Sequence, residues 1–131
     1  MKLKYMIFCE DIRHEVGGKF TLVGVISNNL WTQEFPLVIP KLCLFMEWEG
    51  VTKDATVALN IIPPKGLKAP DTKPIMKIGH QPGINARSIM ALAGFPFQEP
   101  GEYTFSLECD GKTIASETIK VEKYEPSKHV N

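Results

Sequence analysis

A chain of 131 residues holds one domain and can bury a two-layer core without metal or disulfide staples. Its fifteen basic residues balance fifteen acidic ones, and Arg13 and Arg87 are its only arginines. The phosphate-neutralising excess and the guanidinium forks of a nucleic-acid binder are therefore both missing. A hydrophobic content of 44% excludes wholesale disorder, and no apolar run reaches membrane-spanning length.

In chain order, the first strand is predicted over residues 2–12, with Leu3, Tyr5, Ile7 and Cys9 in one phase. Met1-Lys2-Leu3-Lys4 leads straight into this alternation, and Glu10 and Asp11 arrive too early for the apolar run of a signal peptide. Val16-Gly17-Gly18 reads as a turn, and residues 19–27 return as a second strand through Phe20, Leu22 and Ile26. Gly24 falls on that same face, which predicts a bulge or a close backbone approach. Asn28-Asn29 opens a longer loop through Trp31, Phe35 and Pro36 to Pro40. The next strand, 41–49, places Leu42, Leu44, Met46 and Trp48 together. After a turn over 50–54, residues 56–62 alternate Val57, Leu59 and Ile61.

Pro63-Pro64-Lys65-Gly66-Leu67-Lys68-Ala69-Pro70 breaks the strand pattern and reads as an exposed loop, partly polyproline II. Residues 74–79 form a short edge strand, because Pro74 has no N–H for a ladder. Residues 85–93 satisfy two periodicities. Ala86, Ile89, Met90 and Ala93 follow a helix, while Ile84, Ala86, Ser88, Met90 and Leu92 follow a strand. The alternating neighbours and the corner-like 95–101 segment decide for a strand.

The end of the chain gives the clearest pattern. Tyr103, Phe105, Leu107 and Cys109 share one face and Thr104, Ser106 and Glu108 the other. Asp110-Gly111 then supplies the positive φ angles of a tight hairpin. In the returning strand, 113–121, the apolar phase shifts between Ile114 and Ile119/Val121, which predicts a bulge near Ala115-Ser116. The fold class is all-β, an antiparallel immunoglobulin-like β-sandwich of about seven to eight strands. Residues 1–122 make the domain, and 123–131 a polar, frayed tail. Cys9, Cys43 and Cys109 lie inside strands, so they are expected as free thiols of a reduced, cytoplasmic protein.

Cys9-Glu10-Asp11-Ile12-Arg13 followed by Gly18-Lys19-Phe20-Thr21-Leu22-Val23-Gly24-Val25 resembles the opening hairpin of an uncharacterised bacterial and phage family of short proteins. Phe95-Pro96-Phe97 with Pro100-Gly101-Glu102-Tyr103-Thr104-Phe105 resembles that family's final corner and strand. The likeness runs from Leu3 to Val121, implies an immunoglobulin-like sandwich and transfers no catalytic residue. Tyr103 also resembles the corner tyrosine of immunoglobulin-like domains, although Phe105 stands where antibody domains carry a cysteine.

Chemistry-bearing clusters are few. Glu10, Asp11, Arg13, His14 and Glu15 resemble an acid–base group, but charges flanking a turn are the ordinary explanation. Scattered histidines and isolated aspartates give no metal set, Gly17-Gly18 no phosphate cradle, and no cofactor is implied. The protein is therefore expected not to be an enzyme. Its expected role is a protein-interaction or assembly module, with a small enzyme using Asp11 and His14 as a distant rival. Trp31, Phe35 and Trp48 would form a sugar-stacking rim if the module bound carbohydrate; otherwise they cap the core. Met6, Phe8, Val23, Val25 and Phe45 lie out of phase with the apolar face. They define a candidate interface for a partner or for a symmetric homodimer.

Overall fold

A computed structural model describes residues 1–125, and residues 126–131 of the expected tail lie outside the described residues. The described residues form ten strands and no helix, where about seven to eight strands were expected. They are β1 (Lys2–Cys9), β2 (Asp11–Glu15), β3 (Lys19–Val23), β4 (Asn29–Thr32), β5 (Leu37–Glu49), β6 (Ala55–Ile62), β7 (Ile75–Ile78), β8 (Ala86–Phe97), β9 (Gly101–Cys109) and β10 (Lys112–Lys123). One sheet has the order β1-β5-β8, a second the order β4-β10-β9-β6-β7, and β2 pairs only with β3.

The two larger sheets share one core. Phe8 meets Phe105 at 4.9 Å between ring centroids, Phe95 meets Phe105 at 5.8 Å, and Phe97 meets Tyr103 edge-on at 4.9 Å. Val57, Leu59, Phe105, Leu107, Ile119 and Val121 of the large sheet are fully buried against Leu42, Leu44, Met46 and Trp48 of the small one. These are the faces that alternation marks as apolar.

The inward phase of β1 is the reverse of the expected one. A bulge between Leu3 and Tyr5 inserts Lys4 into the ladder, so Leu3 pairs with Trp48 but Tyr5 pairs with Glu47. From there Met6 and Phe8 point into the core, and Tyr5, Ile7 and Cys9 point away. Their neighbours Cys43 and Phe45 also face away from the central core yet are buried. The β2–β3 hairpin lies over that outer face, and Phe20 packs edge-on to Phe45 at 5.1 Å. The sheet is therefore covered on both sides, which removes the need for a polar outer row.

The expected 28–40 loop also contains structure. Its residues 29–32 form β4, which runs parallel to β10, with Lys120 N donating to Asn28 O at 2.7 Å. The large sheet is thus mixed and not purely antiparallel. The 86–97 segment is a strand. Gly24 has φ 65°, and a Cβ there would sit 2.9 Å from the Glu10 side chain, so the close approach is real. Asp110 (φ 52°) and Gly111 (φ 76°) make the tight hairpin turn, and the β10 bulge falls between Thr113 and Ala115.

The corner ahead of β9 is closed by Tyr103. Its hydroxyl donates to Glu99 O at 2.7 Å and accepts from Glu99 N at 3.1 Å. Tyr103→Phe keeps the buried ring and removes both bonds, so it should cost about 1–2 kcal/mol in denaturant melts. A parental midpoint would show that the corner holds by packing alone.

Candidate functional site

The acidic–histidine cluster at the first hairpin is dispersed by strand geometry. Along β2, Asp11, Arg13 and Glu15 pair with Val23, Thr21 and Lys19, while Ile12 and His14 pair with Leu22 and Phe20 on the opposite face. Asp11 is held by Lys41 Nζ at 2.5 Å, and His14 rests edge-on against Phe20 at 4.9 Å. The Lys41 hydrogen bond outweighs desolvation and holds the Asp11 carboxyl below its ordinary value. The structure does not bring Asp11 and His14 together. Asp54 accepts from the His80 amide at 2.8 Å, and Asp71 pairs with Lys68 at 3.1 Å. His80 Nδ1 donates to Val51 O at 2.7 Å.

Sequence reasoning passed over a cluster on the outer face of the small sheet. Arg87 lies over Phe45 at 4.1 Å from the ring centroid, with Phe20 at 5.5 Å and Tyr5 at 5.6 Å. It donates to Tyr5 Oη at 2.8 Å and to Glu47 Oε1 at 2.6 Å. Desolvation pushes the Glu47 carboxyl up, but hydrogen bonds from Asn85 and Lys4 and the Arg87 charge outweigh it, leaving the carboxyl below its ordinary value. Tyr5, Glu47 and Arg87 are one cross-strand row, visible only once the β1-β5-β8 register is known. The cluster clamps the hairpin to the sheet.

Cys9 and Cys43 face each other across β1 and β5, and all three cysteines are free thiols. Burial, followed by the neighbouring Cys43, pushes the Cys9 thiol up to about 11, and burial raises Cys43 as well. Both stay protonated at neutral pH, so neither is a nucleophile. An alkylating reagent should label half-buried Cys109 first and reach Cys9 and Cys43 only on unfolding, as mass spectrometry of native and denatured samples would show. Reductant should leave the melting temperature unchanged.

The expected interface residues divide. Met6, Phe8 and Phe45 are buried, because the bulge turns the first two inward and the β2–β3 hairpin covers the third. Val23 and Val25 are exposed. The expected sugar-stacking trio divides too. Trp48 is fully buried, and its Nε1 donates to Ser88 Oγ at 2.9 Å, so it cannot line a rim. Phe35 is half-buried against the core. Trp31 is 42% exposed on β4, with its Nε1 donating to Glu122 at 3.1 Å.

An apolar groove lies elsewhere. A groove of about 370 Å³ runs between the 63–74 loop and the C-terminal half of β8. Pro63, Leu67, Pro70 and Pro74 form one wall, Leu92, Phe95 and Pro96 the other, and Ile61 and Tyr103 also line it. Four prolines stiffen the loop wall, fixing φ and lowering the entropy lost on binding. Lys68 stands on the rim, and no carboxylate side chain among the described residues lines the groove. Its size suits a few apolar side chains. The proline-rich loop was legible in the sequence, but its position beside β8 was not.

Residues 4–122 match a family of unknown function (DUF6941), and the chain belongs to that family. No curated protein matches the sequence. The family description assigns no activity, so it gives no residue a role.

Proposed function

We propose that the protein is a non-enzymatic interaction module, bacterial or phage in origin, that captures a partner protein through the groove between the 63–74 loop and β8. The groove carries this reading, because it leaves apolar surface open beside the core, between a rigid loop and a sheet edge. The corner tyrosine supports an immunoglobulin-like origin for the fold, and such scaffolds commonly present binding surfaces. Three free thiols agree with a cytoplasmic setting, and no helix among the described residues is long and apolar enough to cross a membrane. A heterologous partner is favoured over a homodimer, since Met6, Phe8 and Phe45 are all buried within the chain. Carbohydrate binding keeps only Trp31 as an exposed ring of its expected trio.

Selection of a displayed random peptide library on the wild-type protein tests the reading. Recovered peptides should lose binding to Leu67→Asp, which puts a charge into the groove, in a variant whose circular dichroism melt shows it still folded. An empty selection, or peptides that bind the variant equally well, would remove the groove as the site.

A further inference from the structure

We infer that the partner enters this groove as an extended strand that adds to the free edge of β8, places apolar side chains in the groove and meets Lys68 with a carboxylate. The inference rests on the groove reading and specifies its occupant. Among the described residues β8 pairs only with β5, so one side of its backbone has no ladder. Sheets in soluble proteins protect such edges with charges, prolines or bulges, because an open edge recruits another strand. The stretch Ser88–Phe97 contains no charged residue, and Gly94 (φ 62°) and Pro96 interrupt only its far end. Ser88–Ala93 therefore carries no charge or proline of its own and no ladder on this side, although β7 approaches it, and it leads into the groove at Leu92.

The occupant is argued from the groove walls. The 63–74 loop stands beside the C-terminal half of β8, so an incoming segment meets its charges as well as the strand edge. The loop carries Lys65, Lys68 and Lys73 against the single acid Asp71, and Lys73 is already bound to Glu108 at 2.9 Å. The Lys68–Asp71 pair is exposed and therefore weak, leaving the Lys68 ammonium able to take an incoming carboxylate. Alternating apolar residues flanked by Asp or Glu satisfy all of these features.

The peptides recovered from the random library serve as probes. They should share that pattern, protect the Ser88–Ala93 amides from hydrogen exchange and bind Lys68→Glu more weakly. N-methylation at alternate residues, which deletes the donors along one edge, should weaken them by about tenfold or more. Peptides that bind in a Leu67-dependent way, yet leave the β8 amides unprotected or tolerate N-methylation on either edge, would overturn strand addition while the groove reading stands. An empty selection would end both.

Discussion

Phe8→Glu should abolish cooperative folding. The Phe8 ring is 5% exposed and packs 4.9 Å from Phe105, between the two main sheets. Removing a buried phenyl ring alone costs about 3–5 kcal/mol. An unpaired carboxylate in the same place adds a desolvation penalty or forces its own protonation. Together these rival the whole stability of a single domain, about 5–15 kcal/mol. Val25→Glu, at a side chain 59% exposed, should stay within about 0.5 kcal/mol of the parent. Circular dichroism melts of the pair give the comparison. A Phe8→Glu protein that melted like the parent would mean that Phe8 faces solvent and the β1 phase is wrong.

That contrast shows where local pattern stops carrying information. Alternation located β6, β9 and residues 41–49 of β5, where the apolar phase runs unbroken toward one core, whereas Leu37–Pro40, expected as loop, opens β5 with Ile39 buried in the other phase. In β1 the same rule selected the wrong face. A single inserted residue, Lys4, swaps the phase, and the bulge is defined by pairing with β5 about forty residues away. Out-of-phase apolar residues were then expected as an interface. Met6 and Phe8 instead point into the core, and Phe45 lies under the β2–β3 hairpin of the same chain; no local rule reports which loop lies over which face. β4 escaped notice because it is four residues long and finds its parallel partner near the end of the domain.

The candidate site was legible in fragments. Pro63, Pro64, Pro70 and Pro74 announced a stiff exposed loop, and the uncharged run after Arg87 was plain in the sequence. Their adjacency depends on sheet order. β8 ends the small sheet and the distal half of β6 leads into the proline loop, so the groove forms where the two sheets part. Charge patterning matters at such a place more than hydrophobicity, because an edge strand without a gatekeeper stays soluble only if something else occupies or hides it.

Trp48→Ala should be the most damaging neutral truncation. Trp48 is fully buried within β5, so its removal leaves a cavity between the main sheets and costs about 3–5 kcal/mol. For a domain of this size that corresponds to a fall in melting temperature of roughly 10–20 °C. Polar accounting adds a second, separable effect. Trp48 Nε1 donates to buried Ser88 Oγ at 2.9 Å, and Ser88→Ala would strand that donor at a cost of about 1–3 kcal/mol. Trp48→Phe restores much of the volume but not the hydrogen bond, so it should fall between the parent and Trp48→Ala. Combining Trp48→Phe with Ser88→Ala should cost less than the two single changes added together, because both partners of the bond are then gone. Tryptophan fluorescence offers an independent check. Trp48→Phe should remove the blue-shifted, quencher-resistant component and leave the signal of half-exposed Trp31. If Trp48→Ala kept the parental melting temperature, Trp48 would not be the buried centre of the small sheet, and a surface role for its ring would reopen.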